Sequence, residues 1–132
     1  MADYVPVNTG GVEPFTFTTS AAVTGGRLVA QSGNGTVAHA GAASALAVGV
    51  AAFDAASGAK VTVWPLEGLV HELEAAAAVT QGAALQAAAN GQVETAVAGA
   101  AATAGSLGTV VGVALTTAAG SPLKLRVHGR RS

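Results

Sequence analysis

The chain repeats itself. Ala21-Ala22-Val23-Thr24-Gly25-Gly26 returns as Ala77-Ala78-Val79-Thr80-Gln81-Gly82, and Asn34-Gly35-Thr36-Val37 returns as Asn90-Gly91-Gln92-Val93 at the same separation. Further along, Val48-Gly49-Val50-Ala51 corresponds to Val111-Gly112-Val113-Ala114, and Lys60-Val61-Thr62-Val63 to Lys124-Leu125-Arg126-Val127. These two matches lie at a larger separation, which places an insertion in the second copy, within the Ala/Gly-rich stretch 96–108. That composition suits a surface loop or a short helical turn better than a strand. The copies span about residues 15–66 and 67–129, and together they read as one domain, 15–132, preceded by a segment, 1–14, that has no counterpart in the repeat.

Each copy reads as β-structure. Phe15-Thr16-Phe17-Thr18, Lys60-Val61-Thr62-Val63 and Lys124-Leu125-Arg126-Val127 alternate with period two, which turns one side of a strand to a core. Between such runs stand Gly25-Gly26, Asn34-Gly35, Ser57-Gly58, Asn90-Gly91 and Gly120-Ser121, all with residues that tolerate positive φ in tight turns. The expected fold is all-β: a small barrel or sandwich made from two duplicated units, neither large enough to close a core alone, paired about a pseudo-twofold axis, with an extended N-terminal arm. Alanine accounts for much of the 51% apolar content and no isoleucine is present, so each layer of core is thin.

Several chemistries are excluded by what the chain lacks. With no cysteine it has neither disulfides nor thiolate sites. There is no Gly-x-Ser-x-Gly elbow and no phosphate-binding loop, and the histidines and acids are dispersed, so no catalytic constellation is expected. His71-Glu72-Leu73-Glu74 begins like a zinc-protease helix, but Ala75 stands where the second histidine would be. On a strand, His71 and Leu73 share one face and Glu72 and Glu74 the other. A zinc site from His39, His71 and His128 requires the fold to gather all three; otherwise they are surface or interface histidines. Lys60 sits inside an alternating strand rather than at a hairpin tip, which argues against a biotin- or lipoate-carrying lysine and makes it a solvated, edge-guarding charge.

Charged residues are only 10% of the chain and the net charge is -1, so most of the surface is neutral and suits packing against other protein subunits. Four of the six basic residues, Lys124, Arg126, Arg130 and Arg131, crowd the C-terminal end. Aromatics are 4% and lie apart from those cations, which excludes a stacking platform for nucleic acid. No secretory signal and no membrane-spanning run are read from the sequence. Phe53 and Trp64 are core or interface anchors, with Pro65 marking a strand end at Trp64. In segment 1–14, Tyr4, Val5, Val7 and Val12 supply more apolar surface than an idle tail needs, so the arm is expected to add to a strand edge of a neighbour. Removing residues 2–13 is then expected to spare the β-fold and weaken attachment.

Ala21 to Val29, Val48 to Gly58, Val61-Thr62-Val63, Gly68 to Leu73, Ala78 to Gly82 and Val111 to Leu115 together resemble the capsid cement, or head decoration, proteins of tailed phages over almost the whole chain. The resemblance rests on order and spacing, because the individual motifs are turn and core residues. It implies a non-enzymatic, β-rich protein without cofactor or metal. Such a protein coats the outside of the virion's capsid after synthesis in the host cytoplasm, and it binds the major capsid protein to stabilise its lattice. It also implies a homo-oligomer, with trimers at local threefold positions favoured, and no nucleic-acid or membrane partner. Candidate contacts with capsid or neighbouring copies are Tyr4, Val5, Val7, Val12, Trp64, Arg130 and Arg131. The competing reading is a small β-barrel carrier or ligand-binding module.

Overall fold

A computed structural model describes residues 3–97 and 108–129. Its regular elements, apart from one short 3-10 turn at Ala89–Gly91, are β-strands. The first copy supplies β1 (Phe15–Thr19), β2 (Leu28–Gly33), β3 (Thr36–His39), β4 (Ala47–Ala51) and β5 (Lys60–Pro65), which close into a barrel in the order β1-β3-β2-β4-β5. The second supplies β6 (Val70–Glu74), β7 (Ala84–Ala87), β8 (Val93–Thr95), β9 (Val110–Ala114) and β10 (Lys124–Gly129), a sheet in the order β6-β10-β9-β7-β8. Taken from β1 and β6 respectively, these are the same strand order.

The duplication extends to single hydrogen bonds. β1 meets β3 in parallel at Thr19↔Val37, and Ala75 meets Val93 in parallel at the matching place in the second unit. The amide of Ser20 donates to the Val37 carbonyl at 2.9 Å, and that of Ala76 to the Val93 carbonyl at 2.8 Å. Val23 pairs with Ala55 as Val79 pairs with Ala118. Gly26 and Gly82 both hold φ +84°, a left-handed turn conformation that a side chain would strain.

Alternation along these strands builds two equivalent interiors. Val23, Val29, Val37, Ala51, Val61 and Val63, backed by Phe17, fill the first. Val79, Leu85, Val93, Ala114, Leu125 and Val127, backed by Leu73, occupy the corresponding positions of the second. The all-β, two-unit fold stands as the sequence predicts, with one correction: the first unit does not need its sister to close. Five strands suffice there because the segment holding Phe17 pairs with both β3 and β5; in the second unit the segment holding Leu73 pairs with β10. Those two segments share a pattern but hardly any residues, so sequence matching overlooks them.

The two units join through the outer side of the first barrel. Leu28, Ala30 and Val50 point away from its interior yet are buried, in one cluster with Leu66 and the core of the second unit. Around that patch, Arg27 pairs with Glu74 at 3.1 Å and donates to the Asn90 carbonyl at 3.0 Å, while Gln92 donates to the same Glu74 oxygen. Arg27 and Glu74 are each about a quarter exposed, and half-solvated ion pairs contribute little. Apolar burial therefore holds the junction, and the ion pair fixes its register.

Candidate interaction surface

Residues 3–14 run as a strap across both units. At one end, Asp3 bridges Phe53 and the Tyr4 amide donates to the Ala52 carbonyl at 2.6 Å. At the other, Asn8 and Val70 exchange both backbone hydrogen bonds, at 3.2 and 2.9 Å, on the free edge of β6. An Asx turn follows, the Asn8 side chain accepting from the Gly10 amide at 2.8 Å.

Between these anchors the strap alternates. Pro6 faces in and is buried, whereas Val5 and Val7 face out, 69% and 47% exposed. Val12 and Phe15 are also exposed, at 38% and 48%, with Phe15 edge-on to Phe17 at 6.0 Å. Burying such side chains elsewhere is worth roughly 1.5–3 kcal/mol each when complete, so an open row of them favours a partner. Phe15 was not among the contact residues singled out from sequence; it shares the face of Phe17 but stands at the first position of β1, where the strand end leaves it exposed.

Tyr4 has a different position from its neighbours. Its ring stacks on His71 at 5.8 Å, and its hydroxyl lies 2.6 Å from His71 Nδ1 and 3.2 Å from the Glu72 amide, which donates to it. The Glu72 bond leaves the phenol proton for Nδ1, so His71 carries its own proton on Nε2, where it reaches the Pro65 carbonyl at 2.7 Å. Burial pushes the Tyr4 phenol well above its usual range, against the smaller opposing effect of the Glu72 bond. Burial likewise holds the His71 pKa below its ordinary value, opposed by the Pro65 bond.

His71 is thus fully buried, a correction to its expected place at a surface or interface. A polar ring is tolerated there because both nitrogens are satisfied. The strap is correspondingly more tightly tied than an arm outside the repeat suggests: removing residues 2–13 would also strip Tyr4 from His71 and Glu72. His39 accepts the Thr24 amide at 2.8 Å, far from this arrangement in its bonding, and the described residues contain no cluster of metal-ligating side chains.

Trp64 is half-buried at the end of β5, opposite Val50. Lys60 is exposed at the start of β5, paired with Thr18. The insertion read at 96–108 and the pair Arg130 and Arg131 lie mostly or wholly outside the described residues. The structure therefore places Tyr4, Val5, Val7 and Val12 on one strap and Trp64 on β5.

A comparison with curated proteins finds no match. Among solved structures, the fold is similar to the head fiber gp8.5 N base of bacteriophage phi29, with TM-score 0.68 and 22% identity over 90% of this chain and 94% of that one. The model of the phage cement protein family matches residues 7–128, a stretch that takes in both duplicated units and most of the strap. On that match the chain belongs to the phage cement proteins, a structural family associated with the phage capsid.

Proposed function

We propose that the protein coats the outer face of a phage head and stabilises the lattice of the major capsid protein, with the exposed side of the N-terminal strap as its principal contact. The observation that carries this reading is the row Val5, Val7 and Val12, held outward on a backbone that Tyr4 and Asn8 pin to the body at two points. Pinning matters because a pre-ordered strap loses less conformational entropy on docking than a free tail. The largely neutral surface adds no long-range repulsion between copies, and a lattice that repeats a modest contact many times gains adhesion through multivalency. Trp64, Arg130 and Arg131 are secondary contacts, and a homotrimer at local threefold positions fits the role.

Capsids lacking the protein provide the test. The double variant Val5→Asp, Val7→Asp adds charge at two exposed positions, so its melting transition should stay within about 0.5 kcal/mol of wild type. Its occupancy of capsids should fall at least about tenfold, the effect of roughly 1.4 kcal/mol per site. Undiminished occupancy would move the binding surface to the two β-units.

A further inference from the structure

The strap is fastened at one titratable group. Hydrogen bonds run from the Glu72 amide to the Tyr4 hydroxyl, from that hydroxyl to His71 Nδ1, and from His71 Nε2 to the Pro65 carbonyl. This order works only with a neutral ring, because Nδ1 must accept. A proton arriving at Nδ1 reverses that bond: the Tyr4 oxygen must then accept from both Glu72 and His71, and its own proton loses its acceptor. The added charge would also sit on a ring with no exposed surface.

The ionisable groups around His71 offer no counter-charge on its side of the sheet. On β6, Glu72 is exposed on the opposite face, where it stands across from Arg126 of β10. Glu74, on that same face, is engaged by Arg27 and Gln92. β10 places Val127 directly opposite His71, with His128 opposite Val70. Asp3 of the strap is exposed beside Phe53, and Glu67 is exposed before β6.

We propose that Tyr4 and His71 form a proton-operated latch: neutral His71 holds the strap against the body, and protonation of His71 releases residues 3–14 while both β-units stay folded. The inference concerns regulation of the surface assigned above and rests on that assignment for its effect on capsid attachment, but the latch itself is testable on the isolated protein. The direction follows from burial. A ring whose pKa is lowered in the latched state binds its proton more readily once released, so release is favoured as pH falls below about 6.5, by up to tenfold for each unit separating the two pKa values.

Amide hydrogen exchange between pH 7.5 and 5.0, corrected for intrinsic rates, reads the latch directly. The amides of Tyr4 and Asn8 should lose protection at least about tenfold at the lower pH, while those of Val37, Val61, Leu85 and Val127 keep theirs. Following strap amides avoids confusion with His39, whose pKa is also lowered by burial and which affects the first barrel. In His71→Asn, whose amide oxygen keeps an acceptor for Tyr4, strap protection should no longer depend on pH. In the wild type alone, strap protection should start to fall at about pH 6.5 and go on falling into the range where the His71 ring resonances titrate, a measurement that stands even if the variant folds poorly. Strap protection that ignores pH, or that changes only below the pH range in which His71 titrates, would overturn the latch. Intact latch behaviour together with unaltered capsid occupancy of the Val5→Asp, Val7→Asp variant would instead sink the assignment of the surface and leave the latch standing.

Discussion

Gly49→Ala is expected to leave little folded protein. A β-carbon at Gly49 would land on the carbonyl oxygen of Trp64, with Val63 Cγ1 at 2.7 Å and the Trp64 carbonyl carbon at 2.9 Å. These are mostly backbone atoms of the neighbouring strand, paired through Gly49↔Pro65 and Val50↔Trp64, so no rotamer change makes room. Overpacking commonly costs about 1–3 kcal/mol where side chains can yield, and pushing β4 off β5 should exceed that range. Against the roughly 5–15 kcal/mol total stability of a small domain, this is a large share. Gly112, the repeat-equivalent residue, should behave alike, since its β-carbon would meet Val127 Cγ1 at 2.5 Å and the His128 carbonyl at 2.7 Å. Gly41→Ala, where nothing lies within 4 Å and φ is ordinary, is the control and should change stability by less than about 0.5 kcal/mol. Thermal or urea unfolding of the three variants decides; a stable Gly49→Ala protein would show that β4 and β5 can separate cheaply.

The second large effect is expected at Leu28→Ala, a loss of about 2–5 kcal/mol in urea unfolding. Leu28 is fully buried although it points out of the first barrel, and Val29 beside it is fully buried because it points in. Truncating Leu28 opens a cavity where the two units meet, without touching either interior. The loss should therefore appear in the coupling of the halves, as a broadened or split transition. Val29→Ala, inside the first barrel, removes less volume and should lower one cooperative transition. A cost below about 1 kcal/mol at Leu28, with one sharp transition, would mean that the junction contributes little to holding the units together.

What the sequence revealed and what it hid follow from how each feature is encoded. The Val-Gly-Val segments were legible because a close strand approach tolerates only glycine, which leaves the same residue at Gly49 and Gly112 in both copies. The faces of β6 were legible through alternation: His71 and Leu73 are buried, and Glu72 is exposed. Burial of His71 itself was not, because the partner that makes it tolerable, Tyr4, comes from the strap and shares no periodicity with β6. Closure of the first barrel was hidden for a related reason. It depends on Thr19 meeting Val37 in parallel, and in the second unit the equivalent of that threonine is Ala75, so identity gives no hint. The exposed row of the strap was visible as composition, but its outward direction depends on where Asn8 and Val70 bond.

Among the described residues, every strand ladder lies within one half of the chain: β1 to β5 pair only among themselves, and so do β6 to β10. On the ribosome, where a domain's N-terminal part emerges first, the first barrel has all of its ladder partners once Pro65 has emerged. The strap does not have its own. Asn8 waits for Val70, and the Tyr4 hydroxyl waits for His71 and Glu72, so strap residues made before β1 have anchors that arrive only with β6. A nascent chain stopped before β6 would carry a closed barrel with Leu28, Ala30 and Val50 bare and a strap anchored only beside Ala52 and Phe53. Fastening of the strap at its far end thus reports that translation has passed into the second half, and an unfinished copy differs from a finished one at the surface proposed for docking.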